Sequence, residues 1–173
     1  MTEPTPTRCP RYGLVQAGVV FVVLIVTLYY LVSLLDDAVL EPTAQVGGWL
    51  LAAIGQDVTV HGALIRGPAT RFEIVGECTA VFPAVLLVSG MLAFPTGLRA
   101  KLFGVLLMLP AVLLLNQLRL VTLWFVQRHA PDAFDLVHVY VWQPLMVVLV
   151  LVLFVVWLEW LLPRRDAAAP DAI

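Results

Sequence analysis

Residues 12–35 of this chain have the sequence YGLVQAGVVFVVLIVTLYYLVSLL, a run of 24 residues without a charged side chain. A helix needs about 20 apolar residues to cross the roughly 30 Å hydrocarbon core of a bilayer. Three further apolar runs occupy 79–98, 102–127 and 139–162, and the second of them contains Arg119. The sequence therefore predicts an all-α membrane protein with four transmembrane helices in a single domain over 1–163.

The composition supports this fold class and excludes others. Hydrophobic residues make up 61% of the chain and charged residues 13%, the mean hydropathy is +0.96, and the net charge is −2. Soluble domains are about 45–50% apolar and about 25% charged. The chain therefore has neither the surface of a soluble globule nor the basic patch that nucleic-acid binding needs.

The basic residues predict which way the spans face. Positively charged loops are retained in the cytoplasm, and the basic clusters of this chain lie before span one, between spans two and three, and after span four: Arg8 and Arg11, Arg99 and Lys101, Arg164 and Arg165. We expect both termini, including the tail 164–173, to be cytoplasmic in a multi-pass protein of the cell (inner) membrane. A cleavable signal peptide is the alternative for span one, but its apolar run exceeds the usual 7–15 residues and no A-x-A site follows.

The external insert 36–77 carries six acidic residues against two arginines, as expected of the outer face. Its uncharged stretch 43–56 is too short to cross and contains three glycines, so we predict a re-entrant or interfacial helix. Two alternating stretches then flank Arg66-Gly-Pro. This pattern predicts a small extracytoplasmic β-hairpin just before span two.

Ionisable residues at membrane depth are costly and usually functional. Arg119 lies in the outer third of span three, one helical turn after Asn116, and its alternative interpretation is snorkelling to the interface. Cys78 opens span two, where an apolar filler is the alternative. Because the other cysteine, Cys9, falls on the cytoplasmic side, Cys78 has no intramolecular disulfide partner in an oxidising compartment.

His138 opens span four, so three separate spans place His138, Cys78 and Arg119 at one depth on one face. A thiol, an imidazole and a guanidinium are a sufficient chemical set for acyl transfer. The imidazole can hold the thiol as a thiolate and later protonate a leaving amine, while the cation stabilises the oxyanion. Tyr140 and Trp142 nearby have the alternative interpretation of an interfacial aromatic belt.

A metal site is a further alternative for the same region. His61, Glu77, Cys78 and His138 are ligand types, but none of them has the close C-x-x-C or H-x-x-x-H spacing that supports a metal site. We therefore predict no metal and no cofactor.

Three segments of the sequence resemble the exosortase/archaeosortase membrane transpeptidases. These are Glu77-Cys-Thr-Ala opening a span, Asn116-Gln-Leu-Arg late in the next span, and His138 opening the one after, with Arg99-Ala-Lys at the entry to the arginine-bearing helix. The resemblance covers roughly 72–160. The short length and the His-Val-Tyr-Val-Trp-Gln context are most similar to the compact branch called exosortase H.

The resemblance implies that Cys78 is the nucleophile, Arg119 the essential arginine and His138 the third catalytic residue. It implies substrates that are secreted proteins with a C-terminal motif, a transmembrane helix and a basic cluster, cleaved on the outer side and passed to an acceptor. Around the catalytic set, residues that support it or contact substrate are predicted to be Glu77, Thr79, Asn116, Tyr140 and Gln143.

Two further expectations concern substrate binding. Many family members have Gly where this chain has Ala80, which predicts a narrower or differently shaped substrate groove. Small residues such as Gly90 and Gly104 are predicted to contact the substrate tail. The alternative function is a non-enzymatic four-span protein, either an assembly partner or a small carrier whose Arg119 binds an anion.

Overall fold

The computed structural model describes residues 11–34 and 36–166, so Cys9 and the end of the tail lie outside the described residues. Five helices account for most of this chain: α1 (Arg11–Ser33), α2 (Asp36–Ala53), α3 (Val81–Ala93), α4 (Leu98–His129) and α5 (Gln143–Asp166). Three short strands lie between α2 and α3: β1 (Thr59–His61), β2 (Leu64–Arg66) and β3 (Arg71–Glu73).

Three helical segments are long and apolar enough to cross a membrane, namely Val15–Ser33, Leu98–His129 and Pro131–Leu161. They correspond to the first, third and fourth predicted spans. The predicted second span 79–98 is realised as α3, which has 13 residues and a length of about 20 Å at 1.5 Å per residue. The structure confirms three candidate spans, and the crossing of the bilayer by α3 stays a prediction.

The last span contains an irregular segment on the N-terminal side of α5. Residues Leu136–Trp142 form a π-helix, and the Gln143 backbone N–H donates to the His138 carbonyl. This wider turn is rare, and single π-turns inside helices are frequent at functional sites. The apolar run 139–162 predicted a regular helix from Val139, because such a run contains no signal for a π-turn.

The external insert differs in detail from its prediction. The expected interfacial helix is present as the longer α2, but the expected hairpin is a three-stranded antiparallel sheet in the order β1-β2-β3. The first alternating stretch is divided by Gly62, whose φ of +59° allows a tight turn between β1 and β2. The predicted Gly-Pro turn is found between β2 and β3, where the Gly67 N–H donates to the Thr70 carbonyl at 2.8 Å.

Two apolar clusters hold these elements together. The first joins α2, the sheet and the C-terminal half of α4, and it includes Leu51, Ile65, Phe72, Cys78 and Trp124. The second joins α3, α4 and α5 and includes Leu87, Met91, Val112, Val150 and Trp157. Cys78 belongs to the first cluster and Ala80 to the second. The segment between the turn and α3 therefore lies at the junction of the two clusters.

Gly104 is where α4 and α5 approach most closely. The Trp157 indole lies against its backbone and donates from Nε1 to the Ala100 carbonyl at 3.3 Å. Gly104 is therefore already covered by Trp157, and the expectation that it contacts a substrate tail is wrong.

We expect Gly104→Ala to lower the free energy of unfolding by about 1–3 kcal/mol, because overpacking a tight contact forces side chains or backbone to shift. An added Cβ would lie 2.6 Å from Trp157 Cδ1. Thermal unfolding in detergent measures the effect. Gly18→Ala is the matched control, since nothing lies within 4 Å of its added Cβ. A Gly104→Ala protein as stable as Gly18→Ala would contradict the prediction.

Candidate active site

Cys78 ends a short 3₁₀ turn, Gly76–Cys78, that connects the sheet to α3. Its backbone N–H donates to the Val75 carbonyl at 2.8 Å, and its side chain is 2% exposed. Its sulfur lies 3.9 Å from Nε2 of His138. The thiol and the imidazole are thus neighbours although 60 residues separate them in the chain.

Thr79 holds the turn in place. Its hydroxyl donates to the Gly76 carbonyl at 2.7 Å and accepts from the Val81 backbone N–H at 3.3 Å. The first bond closes the turn that carries Cys78, and the second satisfies one of the free N–H groups at the start of α3. Thr79 therefore fixes the direction in which the chain leaves Cys78.

Asn116 ties the same turn to α4. Its Nδ2 donates to the carbonyl of Cys78 at 3.1 Å, and the residue is 1% exposed. The described hydrogen bond of its amide is thus with the Cys78 backbone on another segment, although Arg119 lies only one helical turn away on α4. Asn116 therefore supports the nucleophile segment directly.

We expect Asn116→Leu to lower the free energy of unfolding by about 1–3 kcal/mol, because it leaves the Cys78 carbonyl without its donor in a buried site. The measurement is thermal unfolding in detergent. Gln117→Leu is the matched control, because Gln117 reaches its partner, the Thr43 carbonyl, only at 3.5 Å. An equal loss of unfolding free energy in both variants would mean that the hydrogen bond from Asn116 to Cys78 contributes no more to stability than the longer one made by Gln117.

His138 lies on the π-helical segment and is half-buried. Its ring is tilted by 53° against the ring of Phe134, with the centroids 5.4 Å apart. This contact restricts the imidazole on one side, and Cys78 lies at its Nε2. The ring is therefore held where it can exchange a proton with the thiol.

Arg119 is buried on α4, one turn after Asn116, and is only 2% exposed. Its Nε and Nη2 have no hydrogen-bond partner within residues 11–34 and 36–166. The guanidinium is buried within the protein and does not extend along its surface, which disfavours the snorkelling interpretation. Its charge acts on both the Cys78 thiol and the His138 imidazole. Unpaired buried donors of this kind are costly and point to a bound acceptor during function.

A cavity of about 490 Å³ adjoins these residues. Arg119, Thr79, Glu77 and Gln143 line it, so three residues predicted to support the site or contact substrate are at its wall. Cys78 itself does not line the cavity, whereas the residues on both sides of it do. The thiol is therefore separated from the cavity by its own neighbours in this state.

Two residues that the sequence singled out do not line this cavity. Tyr140 is 77% exposed and lies outside it, so its contact with substrate stays a prediction. Ala80 does not line it either, since its methyl group is buried in the second apolar cluster. The substitution of Gly by Ala80 therefore does not narrow this cavity.

The cavity also has walls that the sequence analysis did not single out. Tyr29 and Ser33 of α1, Leu40 of α2 and Phe82 of α3 all contribute. Tyr29 and Ser33 are four residues apart at the outer end of α1, a spacing that places them on one face. These two polar side chains in a largely apolar helix are the feature of the sequence that could have indicated this wall of the cavity.

Within the described residues, no group of three or more His, Cys, Asp or Glu is close enough to hold a metal ion.

The environment of Cys78 acts on its protonation in two directions. Burial raises the pKa of the thiol above its ordinary value, while a hydrogen bond with the Val75 backbone and the positive charge of Arg119 lower it, and the carboxylate of Glu77 raises it again. Burial is the largest of these effects. The thiol is therefore mostly protonated at neutral pH until a base accepts its proton.

We expect Arg119→Gln to slow the alkylation of Cys78 by iodoacetamide and to move the midpoint of its pH profile upward. Removing a nearby cation destabilises the thiolate, so the thiol pKa rises and less thiolate is present at any given pH. The experiment uses a Cys9→Ser background so that one thiol is followed. Arg128→Gln on the same helix is the control, and an unshifted profile in Arg119→Gln would contradict the prediction.

The fold and the site together define a multi-pass membrane protein in which a cysteine, a histidine and an arginine from three segments meet beside a cavity. Residues 11–158 match the family described as Transmembrane exosortase (Exosortase_EpsH). This chain belongs to that family, which is one of proteases and transpeptidases. Comparisons with curated proteins and with solved structures found no significant match.

Proposed function

We propose that this protein is a membrane-embedded cysteine transpeptidase of the cell membrane that removes the C-terminal sorting signal of secreted proteins. Its substrates carry a short motif, a transmembrane helix and a basic cluster, and they are cleaved at the outer face and transferred to an acceptor. One observation carries the proposal. The Cys78 sulfur lies 3.9 Å from the imidazole of His138, beside a buried guanidinium with unpaired nitrogens that lines a cavity.

The first half of the reaction forms an acyl-enzyme. His138 accepts the proton of the Cys78 thiol as the sulfur attacks the carbonyl carbon of the scissile peptide bond. The carbonyl oxygen becomes an oxyanion, and the unpaired nitrogens of Arg119 donate to it. The C–N bond then breaks as the imidazolium protonates the leaving amine, which leaves a thioester on Cys78.

The second half releases the product. An acceptor amine, or water, loses a proton to His138 as it attacks the thioester carbonyl. Collapse of the second oxyanion breaks the C–S bond, and the proton held by His138 returns to the sulfur. An amine acceptor yields a new amide bond, whereas water yields a free carboxylate. The thiol is regenerated in either case.

The observed geometry is compatible with these steps. A distance of 3.9 Å between Cys78 and His138 is longer than a good hydrogen bond, and nucleophile and base often tighten only when substrate is bound. The raised pKa of the buried thiol favours a neutral pair at rest. In the proposed mechanism the proton passes to His138 as the sulfur attacks.

The test is to express the protein together with secreted proteins of the same organism that end in such a tripartite tail, and to measure their masses. We expect the tail to be lost only when this protein is present. The remaining mass separates hydrolysis from transfer, because an acceptor adds its own mass to the new C-terminus. Unchanged masses across a complete set of such tails would contradict the proposal.

A non-enzymatic assembly partner or anion carrier is the competing function. In that case Cys78 would serve only in packing, and the rate of its alkylation would not change when His138 is substituted. We therefore compare iodoacetamide alkylation in the Cys9→Ser protein with and without His138→Ala. A slower reaction in the variant supports a coupled thiol and imidazole, whereas equal rates favour the non-enzymatic function.

A further inference from the structure

The arrangement of α1, α3 and α5 leaves a cleft at membrane depth. α1 packs on α3, and α5 packs on α3 as well, whereas α1 and α5 do not pack extensively on each other. α3 is thus the floor of a cleft whose two walls are α1 and α5. We refer to it as the α1/α5 cleft and define it by Phe21, Gly90 and Leu151.

Two cavities lie along this cleft, one after the other. The outer one is the cavity beside Arg119, and the second, of about 240 Å³, lies between the same three helices. On each helix, some of the lining residues recur at three-, four- or eight-residue steps, which places them on one face. They include Tyr29, Phe21 and Ala17 on α1, Pro83, Leu87 and Gly90 on α3, and Val147, Leu151 and Phe154 on α5.

The length of the cleft follows from α1. Tyr29 lines the outer cavity and Ala17 the second one, and twelve residues of helix extend about 18 Å. The cleft therefore runs from the candidate active site through more than half of a hydrocarbon core about 30 Å thick.

The chemistry changes along the cleft. Its outer end holds Arg119, Thr79 and Gln143, whereas the second cavity is lined by apolar residues throughout. Tyr29, Val147 and Leu151 are partly exposed, so the cleft is open along its side and not enclosed. An occupant must therefore be apolar over about 18 Å and polar at its outer end.

We propose that the α1/α5 cleft binds the transmembrane helix of the substrate's tail and delivers the residue at the outer end of that helix to Cys78. This inference rests on the proposed function, because it concerns the substrate of the same site. A peptide in hydrocarbon must satisfy its backbone hydrogen bonds internally, so an apolar tail in the cleft is helical. Ala17 lacks a bulky side chain, and small residues allow a helix to approach closely. Gly90 instead accommodates the Phe154 ring, which lies 3.3 Å from an added Cβ.

The consequence for catalysis is positional. The seated helix ends where Arg119 presents its unpaired nitrogens, so the first extended residues outside the helix lie beside Thr79 and Cys78. Binding of the substrate helix in the α1/α5 cleft thus determines which peptide bond is cleaved, namely the one at a fixed distance from the outer end of that helix. The substrate loses conformational entropy when its scissile segment is held at Cys78. Contacts between its helix and the α1/α5 cleft offset this cost before the reaction begins.

The test places a photoreactive benzoylphenylalanine in the Cys78→Ala protein, which keeps the tail intact, and co-expresses a secreted protein with a tripartite tail. Cleft positions are Phe21, Leu86 and Leu151. Matched controls are Val23, Leu113 and Val152, which are exposed on α1, α4 and α5 and line neither cavity. We expect at least about five times more cross-linking to the tail from cleft positions. Equal yields, adducts with lipid alone, or no adduct would overturn the proposal.

A second arm measures processing by the active protein. Ala17→Trp fills the second cavity and is expected to slow loss of the tail at least about tenfold, whereas Val19→Trp, at an exposed residue that lines neither cavity, leaves it unchanged. Normal processing by Ala17→Trp with evenly spread cross-links would refute the cleft and leave the proposed function standing. Cross-links confined to the cleft without any processing by the wild type would support docking and refute the proposed reaction.

Discussion

Cys78→Ala is expected to abolish removal of the C-terminal tail, a loss of at least about 10³-fold. Without the sulfur no thioester forms, and the residual acceleration by the remaining groups is small when a covalent nucleophile is removed. The measurement is the fraction of a tripartite-tailed secreted protein that loses its tail, followed by mass. The folded protein should persist, because one small side chain contributes little to the first apolar cluster.

The controls separate chemistry from folding. Cys9→Ala changes the other cysteine of the chain and is expected to process substrate as the wild type does. Cys78→Ser keeps a nucleophile atom of similar position but a much less acidic one, so we expect traces of activity at best. Tail removal by Cys78→Ala at a rate near that of the wild type would refute the acyl-enzyme mechanism.

Arg119→Lys is expected to reduce processing by about 10²–10³-fold although it conserves the positive charge. The guanidinium is planar and offers a fork of donors, whereas an ammonium is a point charge on a flexible stem. Loss of a single oxyanion donor has effects of this size. The unpaired Nε and Nη2 are the atoms that lysine does not replace.

The readout for Arg119→Lys is the rate of tail loss together with the amount of folded protein in the membrane. Arg128→Lys is the matched control on the same helix, where the guanidinium lies 5.4 Å above the Trp124 ring and bonds Gln56 at the exposed end. We expect near wild-type processing there. Full activity in Arg119→Lys would exclude the oxyanion role.

Much of the fold was predictable because it depends on local composition. Long uncharged runs specify helices at membrane depth, since only internal hydrogen bonds satisfy a backbone in hydrocarbon. The predicted runs at 12–35, 102–127 and 139–162 correspond to the three candidate spans. The run 79–98 contributes α3, which ends at Ala93 before Pro95 and Gly97 and is shorter than its apolar composition suggested.

The insert shows where local signals stop being sufficient. Alternation predicted extended chain correctly, but the number of strands depended on whether Gly62 took a positive φ. That choice is decided by packing of the sheet: Val60 packs against α2 beside Gly48, and Ile65 pairs with Phe72 in the first apolar cluster. A glycine permits a turn in any sequence, and tertiary contacts select it.

For the candidate site, the sequence by itself determined which residue types are available and at what depth they lie. Cys78, Arg119 and His138 stand at the same ends of three apolar segments, and ionisable groups are too costly at that depth to be incidental. Only the tertiary structure decided what each one faces. The 3.9 Å approach of thiol and imidazole depends on a π-turn, and the support from Asn116 depends on the packing of α4. The hydropathy along the sequence predicts how deep in the membrane a residue lies. The direction in which its side chain points around the helix axis depends on packing against other segments, which the sequence alone does not reveal.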